Sequence, residues 1–141
     1  MKKLILLLTV LTLGFTSCNS DDDAATSQDA FIGTWKFTAE FENGVSIPLD
    51  DCEDEETIVV SSNGVITITY FDEDVDGNCI ADTMDSESGT WENLGNSVYS
   101  FSFNGDSNED EIVFQGNTFT ITDTYIFDGE TFTDEYVYTR I

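Results

Sequence analysis

The sequence predicts an all-β domain, an eight-stranded antiparallel up-and-down meander closed as a barrel. Three observations carry this. Beyond residue 30, apolar residues recur at every second position and not at helical spacing. The alternating runs are rich in β-branched and aromatic residues, which suit a pleated, half-buried surface. Between the runs stand Asn63-Gly64, Asn104-Gly105, Gly116-Asn117 and Asp128-Gly129, pairs that supply the positive-φ residues of tight hairpins.

The elements follow in chain order. A first strand over 33–42 alternates Trp35, Phe37, Ala39 and Phe41 with polar neighbours. Strands over 56–61 and 64–71 flank Asn63-Gly64, the second carrying Ile66, Ile68 and Tyr70. A fourth, 88–93, holds Trp91, and a fifth, 96–103, holds Tyr99, Phe101 and Phe103. Strands over 109–115, 117–127 and 130–140 complete the set, with Phe119, Ile121, Tyr125, Phe127, Tyr136 and Tyr138 in period two. That period places each set on one strand face. Successive hairpins make a meander, and closure removes its exposed edges. The same strands also fit an open sandwich. Eight strands leave room for one small ligand or for a filled interior.

The start of the chain has a different character. Lys2 and Lys3 precede an apolar run, Leu4 to Phe15, which is shorter than the roughly 20 residues of a membrane span. Thr16, Ser17 and Cys18 close it, resembling the lipobox cut by lipoprotein signal peptidase, with Phe15 where leucine is usual. The expected organisation is a signal peptide over 1–17, then lipidated Cys18 with a flexible acidic tether to residue 30, then a domain over 31–141. Ser20-Asp21-Asp22-Asp23 resembles a lipoprotein export signal of some Gram-negative bacteria. The implied location is the outer membrane, lipid-anchored and exposed on the cell surface. Several acyl chains anchor stably where one does not.

Composition excludes several classes of function. The chain holds 29 acids against 4 bases, and cleavage before Cys18 leaves only Lys36 and Arg140 as bases. Such a surface repels nucleic acid and phosphorylated ligands. Histidine is absent, which removes Ser-His-Asp and Cys-His catalysis and imidazole metal sites. The expectation is a protein that is not an enzyme. Export implies an oxidising compartment, so Cys52 and Cys79 are expected to pair. In the chain-entropy treatment such a crosslink contributes about 3.5 kcal/mol.

Gly33-Thr34-Trp35 on the first strand and Arg140 on the last resemble the lipocalin, or calycin, pattern. In that pattern a late arginine packs on the indole of the first strand. Cys52, Cys79 and Gly89-Thr90-Trp91 extend the resemblance to the lipocalin-like domains of small bacterial lipoproteins. It implies an eight-stranded lipocalin-like barrel over 31–141, with structural roles for Gly33, Trp35 and Arg140. The chain is shorter than a full lipocalin.

Three candidate features remain. Asp72, Asp74, Asp76 and Asn78, with Gly77, match the opening of a calcium-binding loop, although Thr83 stands where the bidentate glutamate belongs. The alternative is a solvated acidic turn. Calcium is the only cofactor suggested. Trp35, Phe37, Trp91, Tyr99, Phe101, Tyr136 and Tyr138 are candidates to line a pocket, or else plain core. Asp82-Thr83-Met84 resembles a short bacterial O-glycosylation acceptor. The expected function is therefore a surface lipoprotein binding a small hydrophobic or sugar-like ligand. The alternative is a non-catalytic interaction protein with a solid barrel and acidic loops. The expected partners are a membrane, through the lipid anchor, and an unknown small ligand or surface protein, with no nucleic acid.

Overall fold

The computed structural model describes residues 28–141. The signal peptide, Cys18 and the acidic stretch behind it lie outside the described residues. The strands are β1 (Gly33–Glu42), β2 (Val45–Ile47), β3 (Thr57–Val60), β4 (Val65–Glu73), β5 (Cys79–Gly95), β6 (Val98–Phe103), β7 (Asp106–Gln115), β8 (Thr118–Phe127) and β9 (Glu130–Arg140). A 3-10 turn spans Glu53–Glu55 between β2 and β3.

Every neighbouring pair is antiparallel, and β1 pairs with β9, so β1 and β3 to β9 close into an eight-stranded barrel. This is the expected meander, and closure decides against the open sandwich. The short β2 is an addition. It folds back on the end of β1 through Asn43 and Gly44, whose φ values of 51° and 76° make a tight turn.

Three strands, β4, β5 and β7, extend beyond their expected limits. The β5 strand begins at Cys79, because the start of its first half, Cys79 to Asp82, pairs with Glu73 to Tyr70 of β4. That half is acidic and polar, so no alternation marks it. Shifts in register between Phe37 and Ala39, Ile68 and Tyr70, and Asn93 and Gly95 are bulges that bend the strands.

The core fills one end of the barrel. Trp35, Ile58, Val60, Ile66, Tyr99, Phe101, Ile112 and Phe119 point inward and are buried. Gly89 is required there: a Cβ would overlap the Ser102 carbonyl oxygen and the Phe103 ring. The other end is tied differently. A disulfide joins Cys52 to Cys79, with their Cα atoms 5.4 Å apart. It fastens the segment after β2 to the start of β5, and the 3-10 turn packs against β1 and β4.

Candidate ligand-binding site

The closed end is built around Trp35, which is fully buried. The Arg140 guanidinium carbon lies 4.0 Å from the Trp35 ring centroid. The same guanidinium donates to the carbonyls of Ile32 (2.8 Å) and Ala30. Gly33, at φ 153°, makes room for it, since a Cβ there would strike Arg140. The three residues assigned structural roles from the sequence therefore form one unit.

Phe31 was not foreseen as part of the core. It enters from the segment before β1 and is 1% exposed. Its ring lies 5.2–5.8 Å from Tyr99, Phe119, Trp91 and Phe101. Asp29 fixes the insertion by accepting hydrogen bonds from the Phe31 N–H (2.8 Å) and the Tyr99 hydroxyl (3.0 Å), and from the Asn93 amide. The Phe31 carbonyl accepts from Trp35 Nε1 at 2.8 Å. Burial and the Asp29 carboxylate push the Tyr99 hydroxyl up to about 12. Asp29 and Ala30, expected in the tether, are thus hydrogen-bonded to the closed end, Asp29 half-buried and Ala30 exposed. The sequence signal was present: an aspartate two residues before a phenylalanine, a turn-capping spacing.

Above Phe31 the barrel holds an apolar recess of about 140 Å³. Phe31, Ile58, Ile66, Ile68, Phe101, Phe103 and Ile121 line it, with Asn108 and Asp110 as its polar groups. An apolar cavity near this volume accepts a molecule the size of benzene. Nearer the mouth a second hollow of about 300 Å³ is polar. Phe37, Glu40, Glu53, Glu56, Tyr70, Tyr136 and Tyr138 line it. Burial raises the Glu56 carboxyl above its ordinary range, partly offset by the Tyr138 hydroxyl, which donates to it at 2.8 Å.

The seven aromatics picked from the sequence therefore divide. Phe101 lines the apolar recess, and Phe37, Tyr136 and Tyr138 line the polar hollow. Trp35, Trp91 and Tyr99 belong to the closed end. The recess is made mostly by isoleucines and by Phe31. Alternation identifies the inward face but says nothing of depth along the barrel axis, so aromatic identity alone overstated the pocket.

Register extends the inward face toward the mouth, because directly paired residues share a face. Glu87 stands opposite Ile68, Asp110 opposite Tyr99, Glu40 opposite Tyr136 and Asp123 opposite Asp134. The Asp134 Oδ1 atom is buried with no hydrogen-bond partner.

The segment expected to hold calcium is a turn built from its own hydrogen bonds. Among the described residues no three histidine, cysteine, aspartate or glutamate side chains form a metal-binding group. Asp72 is paired in β4 with Ile80. Asp74 Oδ1 accepts from the backbone N–H of Asp76 (2.8 Å) and of Asn78 (2.9 Å), and the Asn78 amide donates to both its oxygens. These bonds hold Asp74 below the usual carboxylate range. The D-x-D-x-D-G pattern here makes a hairpin turn, with Asp74 as its internal cap. Asp82 likewise caps the N–H of Met84 at 2.7 Å within β5, where Met84 is exposed.

A family model described as "Lipocalin-like domain" matches residues 31–124. The chain belongs to this lipocalin-like family. Among solved structures it is similar to the possum milk whey lipocalin trichosurin, described with bound 4-ethylphenol. The identity is 11% and the TM-score 0.40, over 76% of this chain and 73% of that one. No curated protein matches the chain. For this lipocalin-like domain, the Trp35–Arg140 stack is the closed end of the cup and the hollow at Glu56 opens toward its mouth.

Proposed function

We propose that this protein is a surface lipoprotein whose lipocalin-like barrel binds a small hydrophobic molecule, and that it does so without catalysing a reaction. The observation that carries this reading is the apolar recess of about 140 Å³ inside the barrel, walled by Ile58, Ile66, Ile68 and Ile121. Apolar concavities with few polar groups are the usual form of small-molecule sites. The isoleucine lining favours a hydrophobic ligand over a sugar, because sugar hydroxyls need partners that such walls do not offer. The family model over 31–124 supports the same reading.

The anchor rests on Phe15-Thr16-Ser17-Cys18 and on the acids that follow. Asp29 and Ala30 sit at the closed end, so a tether from Cys18 joins the barrel opposite its mouth. Labelling the whole chain in a Gram-negative host with an alkyne fatty acid tests the anchor. The label is expected on the protein and absent from Cys18→Ser. Ligand binding is tested by titrating the purified protein with toluene or indole and following methyl NMR shifts. Shifts at the recess isoleucines are the expected result, and no saturable shift with either probe overturns the reading.

A second reading, docking of a protein partner, draws on one observation: Ile126 and Phe127 are exposed at the β8–β9 tip. Photo-crosslinking from position 127 on intact cells tests it. A discrete adduct is expected on that reading, and none counts against it.

A further inference from the structure

We infer that the recess selects small aromatic or aliphatic amines, with Asp110 as the group that receives the ammonium; this rests on the reading of the recess as a ligand site. Asp110 is the one charged side chain lining that apolar cavity. It lies on β7 two residues before Ile112, which is fully buried, and directly opposite Tyr99. Among the described residues its one side-chain hydrogen bond comes from the Asn108 amide at 2.7 Å, a neutral donor.

No base of the described chain neutralises it. Lys36 Nζ pairs with Glu55 at 3.3 Å on the outside of the barrel. Arg140 is held over Trp35 at the closed end. Instead Asp123 lies close enough to add like-charge repulsion to burial, and the two together raise the Asp110 carboxyl. A half-buried carboxylate beside an apolar wall loses part of its hydration, and an incoming ammonium offsets that loss while its apolar body fills the recess. An anion meets the opposite situation, since Glu40 on β1, Glu56 just before β3 and Glu87 on β5 face inward from other parts of the barrel.

The test compares three molecules of one shape: benzylamine, benzyl alcohol and benzoate, titrated into the purified protein by NMR or calorimetry. Benzylamine is expected to bind at least about tenfold more tightly than benzyl alcohol, and benzoate not to bind. Asp110→Asn is expected to reduce benzylamine to the affinity of the alcohol while leaving the alcohol unchanged. That last readout shows that the variant is folded. Glu109→Gln removes the same charge from an exposed neighbour and is expected to keep the preference, which separates Asp110 from the general negative field. Equal affinity for amine and alcohol overturns the inference and leaves the binding reading standing. So does a preference that survives Asp110→Asn. Failure of all three probes overturns both.

Discussion

The two ends of the barrel are stabilised by different physics. At the closed end side chains do the work: Trp35, Phe31 and Phe119 are fully buried and the indole nitrogens of Trp35 and Trp91 both find carbonyls. At the mouth the aromatics Phe37, Tyr70, Tyr136 and Tyr138 share the lining with acids. There β4 and β5 continue as a hydrogen-bonded ladder, and the Cys52–Cys79 disulfide fastens the rim. Acids face inward at this end, and Asp134 keeps a buried oxygen without a partner. The comparison teaches that stability is concentrated below and chemistry above, with the isoleucine-lined recess between them.

Substitutions can break that division, beginning with the largest effect. Phe31→Ala removes the ring that plugs the closed end and is expected to cost about 4 kcal/mol in urea unfolding. The surviving fold should bind larger apolar probes, because the recess deepens. Replacing Cys52 and Cys79 together by serine is expected to cost about 3.5 kcal/mol. Hydrogen exchange should then rise in 79–87 and stay slow around Trp35. A smaller loss, about 1–2 kcal/mol, is expected for Arg140→Gln, which gives up the contact with the Trp35 face. Near-ultraviolet circular dichroism should register the freed indole.

The recess and the mouth share a signature in pH. Glu56 and Asp110 are raised in the folded state, burial being the first cause for each. A raised carboxyl binds its proton more readily folded than unfolded. Stability is therefore gained as pH falls through the folded value toward the ordinary carboxylate range, and lost as pH rises. Thermal melting is expected to shift upward from pH 7 to pH 5, and less so in Glu56→Gln. The smallest effect belongs to the tip: Phe127→Ser, at an exposed site, is expected to change stability by under about 0.5 kcal/mol.

Much of the fold was legible in the sequence, for identifiable reasons. Residues such as Tyr99, Phe101 and Phe103 alternate strictly, and Asn104-Gly105 turns the chain where such pairs do. The upper half of β5 was not legible, because Ile80 to Asp82 is held by backbone pairing and Thr83 to Ser86 by bonds to Asp82, not by a buried face. The β2 strand was signalled only by Asn43-Gly44. The site was less legible than the fold. Phe31 lies outside every strand, and its place inside the barrel depends on Asp29, Asn93 and Tyr99, far apart in sequence. Asp110 sits in a run of acids that looks solvated until register turns it inward.

The central claim is that an accessible apolar recess lies above Phe31. Xenon pressure on the isoleucine-labelled protein tests it most directly, since xenon enters dry apolar cavities. The methyl signals of Ile58, Ile66, Ile68 and Ile121 are expected to shift saturably, while those of exposed Ile80 and Ile126 stay in place. Unmoved signals at all four recess isoleucines would mean a solid barrel and contradict the account.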